Sequence, residues 1–549
     1  MDFQADSSVV VKAVPSAIAA LILWAVARRF VFPHPLDKVR GPPNPSLLAG
    51  HLGEIFGEDS TEFHRSISKH DGVMRIFGPL KHRGLLIQDP KALHHIFVKD
   101  QDIFEEMTAF IASNKAVFGD GLISILGDHH RKQRKMMNPV FSTAHIKLMT
   151  SQFFAITYKL RDVFIEKTAE GPQEIDFMRW ATRVSLEIIA QSGFGTSWDP
   201  ITQDAEEHPF TSSAKLIVPW GKKLLLFRTF VMPLIYKYNL GTPGLQRFLI
   251  GLSPSRPLKE LKNIVDTMHY HSLKLVNEKK EALAKGSGEF KNEHKDILSI
   301  LMEENAKASD EDRLPDNEVI AQISTFTFAA MDTSSSALCR IFWLLARHQD
   351  VQDKLRAEIR EAKQNLNLEE PNYDQLNALP YLDSVIRETL RLYPPGPVMG
   401  RECRKDTILP LSKPIKTVDG TYTQEIFVPK DTMIFASLLG CNTNPELWGA
   451  DTYEWKPERW FSPVPEKVVE ARIPGVYSHL MTFLGGGRAC IGFKFSLMEM
   501  KVLMYVLVDQ FKFTPAKQEI IWTMGGLVTP LVDRSNVQPE MPITISRAD

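Results

Sequence analysis

The chain has 549 residues, 65 basic against 66 acidic side chains, 44% hydrophobic residues and a mean hydropathy of -0.15. These values exclude a disordered acidic or basic tail protein, a collagen and a polytopic membrane protein, and the balanced charge argues against nucleic acid as a partner. Four cysteines, Cys339, Cys403, Cys441 and Cys490, are too few and too scattered for a disulfide scaffold of this length, which raises the question whether one of them is special.

At the start of the chain, residues 9–27 form a run whose only charge is Lys12, followed at once by Arg28 and Arg29. About 20 apolar residues span a bilayer, and a Lys near one end can snorkel to the headgroups, so the run predicts one transmembrane helix. Asp2 and Asp6 precede it while Arg28, Arg29, Lys38 and Arg40 follow, the reverse of a cleaved secretory signal. The same asymmetry predicts that the body faces the cytosol. A buried amphipathic N-terminal helix is the alternative. Gly41-Pro42-Pro43-Asn44-Pro45 cannot continue a helix and reads as a stiff hinge. The expected division is therefore 1–40, anchor and start of the hinge, and 41–549, the body.

Within the body, Val73–Phe77 and Leu85–Ile87 read as strands separated by Gly and Pro. Apolar residues then recur three and four apart over 177–189, 258–284, 317–348 and 351–365, which predicts helices. Segments near 407–432 and 522–545 carry more Pro, Gly and β-branched residues and read as strands. The stretches 252–257 and 306–316 read as loops within one domain, and no repeat or low-complexity linker interrupts it. The expected fold class is mainly α with a small β part.

The strongest local signal is Phe483-Leu484-Gly485-Gly486-Gly487-Arg488-Ala489-Cys490-Ile491-Gly492, followed by a helical run over 493–508. Small residues around a thiolate leave N–H groups able to point at the sulfur, and a helix start adds its positive end. That is how a soft anionic metal ligand is built. The other three cysteines lack such surroundings and read as core thiols. Upstream, Glu388 and Arg391 lie three apart on a helical run, 381–392, so they project from one face. Pro457-Glu458-Arg459-Trp460 follows. Within the long apolar helix, Ala329-Ala330-Met331-Asp332-Thr333-Ser334 places an acid and hydroxyls where they need partners or a function. A Thr bonded back to its own helix is the structural alternative. Gly127 to Lys135 is a basic helical run that could equally be a solvated face.

Together these segments resemble, in order from Gly41 to about Val528, the cytochrome P-450 monooxygenases of the eukaryotic microsomal type. The decapeptide fits that family's F-x-x-G-x-R-x-C-x-G loop at every fixed position, including Phe483, Gly486 and Gly492. The resemblance implies a single large cytochrome P-450-like domain behind an N-terminal transmembrane helix. It implies haem b with Cys490 as axial thiolate, and Asp332 and Thr333 as a proton relay to dioxygen. Arg134, Arg401 and Arg488 would anchor the haem propionates bidentately, with His130, in place of the family's Trp, able to donate one further hydrogen bond. Glu388, Arg391 and Arg459 would form a structural cluster, completed through a P-E-R-F-like segment in which Trp460 replaces Phe. Ala330 replaces the pattern's Gly and would narrow the space beside dioxygen.

The implied reaction inserts one oxygen atom from O2 into a lipophilic substrate such as a sterol, terpenoid, fatty acid or aromatic xenobiotic. Its electrons would come from NADPH through a separate cytochrome P-450 reductase, or in part from a cytochrome b-type donor. Arg131, Lys132, Lys135 and Lys494 would form a basic docking patch for that donor. The implied place is the endoplasmic reticulum membrane, with one span and the catalytic domain in the cytosol. A haem-thiolate isomerase or dehydratase acting on peroxides, or a non-enzymatic haem-binding protein, are the alternatives. Apolar residues expected to face the substrate include Phe110, Ile111, Val117, Leu122, Phe326 and Phe328.

Overall fold

The computed structural model describes residues 29–57, 60–284, 296–367, 369–535 and 538–548, with Trp24 and Ala27. The span expected over 9–27 thus lies outside the described residues apart from Trp24 and Ala27, and among the described residues no helix is long and apolar enough to cross a membrane.

Each helix expected in the body forms within a few residues of its expected ends: Phe177–Ile188, Arg256–Ala284, Asp316–Arg347, Gln349–Leu366, Pro380–Leu392 and Phe493–Gln510. Their termini follow from side-chain chemistry. Asp176 accepts from the N–H groups of Met178 and Arg179 to cap the first. The long Asp316–Arg347 helix has Pro315 at its N-cap, Asp316 and Glu318 in its first turn and Arg347 in its last, the order the helix dipole favours. A 25-residue helix, Thr143–Lys167, capped by Ser142, is an element the periodicity reading did not single out.

The β part is small, as expected. The largest sheet has five strands in the order Val73–Phe77, Arg83–Ile87, Met433–Ser437, Val398–Cys403 and Phe104–Glu105. The expected strands near 407–432 form the hairpin Thr407–Lys416 and Tyr422–Val428, and those near 522–545 form Ile521–Met524, Val528–Leu531 and Pro542–Arg547. One hydrophobic cluster runs from Phe118 to Ile545 and joins the Thr143–Lys167, Phe177–Ile188, Asp316–Arg347 and Phe493–Gln510 helices. A second lies under the five-stranded sheet and reaches Leu480 and Met481, just before the Cys490 loop.

The polar cluster expected from Glu388, Arg391 and Arg459 is present and fully buried at its centre. Arg391 donates to both oxygens of Glu388, at 2.9 and 2.8 Å, and neither side chain has any solvent exposure. Arg459 adds a bond to Glu388 at 3.1 Å and a second pairing to Asp451. Trp460, at the family's Phe position, donates its indole N–H to Glu388 at 3.1 Å, a bond that Phe cannot make. The cluster then reaches the loop by short steps. Arg391 donates to the Asn442 carbonyl, the Asn442 amide meets Thr482 Oγ1 and the Met481 N–H, and Thr482 donates to the Leu390 carbonyl.

Breaking one member of a buried ion pair leaves an uncompensated charge. Replacing Arg391 by Leu is expected to cost about 3–5 kcal/mol, and replacing Trp460 by Phe about 1 kcal/mol. The unfolding midpoints of the two variants check this, and equal midpoints for both would contradict the account.

Candidate functional site

The Cys490 loop is shaped by backbone contacts that only glycine permits at two positions. A Cβ on Gly486, which has φ of +67°, would lie 1.9 Å from the Phe97 carbonyl oxygen, and one on Gly485 would lie 1.8 Å from that of Pro474. The Phe483 carbonyl accepts from the Cys490 N–H at 2.9 Å, and its ring packs between Tyr477 and Phe493. Ala489 N–H closes on Gly486 at 3.2 Å, so the turn is internally bonded up to the cysteine. Gly492 caps the Phe493–Gln510 helix, and its amide N–H bonds the Cys490 sulfur.

Protein surrounds Cys490, yet its side chain remains open to solvent-sized contact, the combination an internal cleft produces. Burial pushes its thiol up, while the Gly492 N–H and the Arg134 guanidinium act in the opposite direction. The protein alone thus stabilises the thiolate only in part, and a bound cation would supply the rest. Cys339, Cys403 and Cys441 are buried core thiols, as expected. Cys403 donates to the Lys405 carbonyl and is pushed up to about 11, chiefly by burial.

The expected anion-binding residues converge beside this loop. Arg134 donates to the Ala489 carbonyl at 2.6 Å. Arg488 donates to the Ile125 carbonyl at 2.6 Å, and Arg401 to the Gly400 carbonyl at 2.8 Å. His130, Arg401 and Arg488 line one pocket with Phe97, Glu106 and Gly487. His130 is buried, and burial followed by Arg488, Arg134 and Arg131 holds its ring down to about 3, so the imidazole is neutral with one N–H to give. Glu106, which the sequence reading did not single out, pairs with both Arg401 and Arg488. No sequence motif flags it; the pairing arises because Phe104–Glu105 adds to the edge of the sheet beside Val398–Cys403.

On the long helix, Asp332 and Thr333 share a partly open window with Phe328, Ala329 and Ala330, in a helix otherwise buried on both sides. Asp332 is pushed up to about 7, by burial against a smaller opposing pull from Lys215. Thr333 donates to the Ala329 carbonyl at 2.6 Å, so the back-bonded alternative is the arrangement present. The helix runs unbroken through Ala330. Phe328 packs against Phe118 with ring centroids 5.0 Å apart and is half-buried at the window. Phe326 instead packs edge-on against Phe141 in the core, and Phe110 is exposed.

In the basic patch, among the described residues, only Arg131 is met by carboxylates, while Lys132 and Lys494 bond neutral acceptors and keep their charge. Arg131 is paired with Asp128 and Asp102, Lys132 with the carbonyls of Glu311 and Arg313, and Lys494 with Thr143 Oγ1. A second polar centre was also missed. Glu499, wholly buried on the Phe493–Gln510 helix, accepts from Ser185 at 2.5 Å and from Ser334, the neighbour of Thr333. Its position about two turns inside an apolar helix is the only signal that could have found it.

An accessible thiol just ahead of a helix start, with the Arg134 guanidinium acting on its sulfur, agrees with the resemblance drawn from the decapeptide. The family model for the cytochromes P-450 matches residues 40–530, and the chain belongs to that family. It is 46% identical over 533 residues to cytochrome P-450 monooxygenase 91 of Postia placenta, covering 96% of this chain and 97% of the relative. It is 42% identical over 513 residues to cytochrome P-450 monooxygenase 212 of the same fungus, covering 92% and 93%. It is 40% identical over 550 residues to ganoderic acid synthetase of Ganoderma lucidum, covering 98% and 99%. The chain is accordingly an oxidoreductase of the monooxygenase kind, in a family that carries haem on a cysteine thiolate.

Glu499 provides a test of the buried polar centre. Burial raises its carboxyl from the usual range to about 7, against bonds from Ser185 and Ser334. The folded protein therefore holds this proton more tightly than the unfolded chain, and stability falls as pH rises from about 4.5 to about 7. Glu499→Gln removes that loss, so the stability advantage of wild type over the variant is expected to shrink across this window. Parallel unfolding profiles of the two proteins would contradict it.

Proposed function

We propose that this protein is a membrane-anchored haem monooxygenase that inserts one oxygen atom into a lipophilic substrate. Cys490 would hold the haem iron as its axial thiolate, and Arg134, Arg401 and Arg488, with a hydrogen bond from His130, would hold the propionates. The observation that carries the reading is that His130, Arg401 and Arg488 line one pocket beside the Cys490 loop, while Arg134 bonds the loop itself at the Ala489 carbonyl. When bound, haem supplies the activation of dioxygen.

The chain's own part is to deliver protons and exclude water. Asp332, raised to about 7, holds a proton at its carboxyl for much of the time at neutral pH. Turning Thr333 Oγ1 from the Ala329 carbonyl toward the window would place a hydroxyl between that carboxyl and the cavity. Phe328 and Phe118 close one side with apolar surface, which suits a sterol, terpenoid, fatty acid or aromatic compound. The relative named ganoderic acid synthetase supports a natural-product substrate and hence a place in secondary metabolism.

Electrons would come from NADPH through a separate reductase, with a cytochrome b-type protein as a second donor. Its docking would rely on the groups around Lys135 more than on Arg131. Placement at the endoplasmic reticulum membrane, with the domain in the cytosol, is supported by the apolar run at 9–27. An exposed apolar surface on Pro243–Leu252 and the segment before it, including Leu225, Leu226, Leu234, Leu240, Phe248 and Leu252, supports it too.

With purified reductase and a lipophilic panel, the protein is expected to consume NADPH and O2 in proportion to hydroxylated product. Turnover of a hydroperoxide with no NADPH or O2 use would instead establish an isomerase or dehydratase. Replacing Thr333 by Ala is expected to lower product per NADPH about tenfold or more, with hydrogen peroxide released in its place. Unchanged coupling would assign the proton transfer to another group, with Ser334 the nearest hydroxyl in sequence.

A further inference from the structure

We propose that Glu106 is a resident counterion of the cofactor-anchoring arginines, holding Arg401 and Arg488 in the pocket and competing with the haem propionates for them. The inference rests on the haem reading above and adds to it a residue that opposes cofactor binding.

Glu106 Oε1 lies 3.3 Å from Arg401 Nη2 and its Oε2 lies 3.1 Å from Arg488 Nη2, so one carboxylate spans two guanidiniums that come from distant parts of the chain. All three side chains are buried or nearly so, where an unpaired charge is costly. The carboxylate is delivered by backbone rather than by a flexible tether. Phe104 and Glu105 pair with Cys403 and Glu402 across the sheet edge, and Arg404 donates to the Glu106 carbonyl at 2.7 Å and pairs with Glu105 at 3.1 Å. Glu106 also lines the pocket that Arg401, Arg488 and His130 line, so it faces the groups that would receive a propionate.

The charges support the same assignment. Arg134, Arg401 and Arg488 bring three positive charges, and His130 is neutral. The Cys490 thiolate would offset the single positive charge of a ferric haem centre. Two propionates then leave one guanidinium charge unanswered among these groups, and Glu106 answers it in direct contact, with Glu105, paired to Arg404, acting on Arg488 from further off. Before the cofactor arrives Glu106 is the acidic partner of Arg401 and Arg488 in the described structure, and afterwards it shares them with stronger competition. Arg401 has little else to meet its charge, with the Gly400 carbonyl and the Phe97 ring face as its other contacts.

The test compares hemin with hemin dimethyl ester, whose propionates carry no charge, by titration into cofactor-stripped wild type and Glu106→Gln. Removing the competing charge is expected to raise the hemin-over-ester affinity ratio about tenfold, the size of one charge-assisted hydrogen bond. It is also expected to lower the melting temperature of the stripped protein more than that of the loaded one. An unchanged ratio together with equal losses in both forms overturns the proposal and makes Glu106 an ordinary structural pair. If the stripped Gln variant does not stay folded, Glu106→Asp, which keeps the charge but shortens its reach, is expected to raise the ratio by a smaller amount, and no rise overturns the proposal. Failure of wild type to bind hemin overturns the haem reading and the inference with it, whereas binding with an unchanged ratio overturns the inference alone.

Discussion

A carboxylate with no access to water must find donors within the protein, and Glu388 finds five N–H donors on four residues, Arg391, Lys456, Arg459 and Trp460. This requirement organises the region on which the site depends. It brings the Pro380–Leu392 helix, the segment around Asp451 and the Pro457–Phe461 turn to one point, where a loose arrangement would leave a buried charge unmet. From there Asn442 and Thr482 carry the constraint to Met481 and so to the turn that ends at Cys490. The cysteine is held in place by this path together with the glycines that press against Phe97 and Pro474. A reactive ligand on a loop gains the rigidity of a core element.

The site itself is a problem in charge. A thiol in low-dielectric surroundings resists ionisation, and three guanidiniums brought close together repel one another. The fold answers each with a partner of opposite kind: Gly492 N–H and Arg134 for the sulfur, Glu106 for Arg401 and Arg488. The neutral His130 adds a donor without adding charge. On the long helix, Asp332 has the opposite character, a carboxyl kept half-protonated by burial with little to ionise it. A cation-rich floor and a proton-holding helix suit a group that is anionic at its edge and takes up protons on its open face.

Local pattern made most of this fold legible. Helices such as Asp316–Arg347 and strands such as Val73–Phe77 follow from periodicity and from Pro and Gly at their ends. Cys490 stands out by its Gly-rich surroundings and spacing gives the Glu388–Arg391 pair, whereas Arg459 joins them only through the resemblance to the family. Other contacts depend on residues far apart in the chain and carry no local signature. Glu106 meets Arg401 and Arg488 through sheet pairing, Glu499 meets Ser185 through helix packing, and Trp460 meets Glu388 only once its helix has docked. Phe326 is ambiguous in sequence for a related reason. Its apolar character suits a cavity wall and a core equally, and packing against Phe141 decides between them.

The central claim is that a single thiolate, Cys490, holds the haem iron at the floor of this cleft. The absorption spectrum of the reduced protein under carbon monoxide tests it most directly. The account predicts the red-shifted Soret band from which the family takes its name, unchanged when Cys339, Cys403 and Cys441 are replaced by Ser and lost when Cys490 alone is replaced. A shorter-wavelength band in fresh folded wild type, or survival of the red-shifted band in Cys490→Ser, would contradict it.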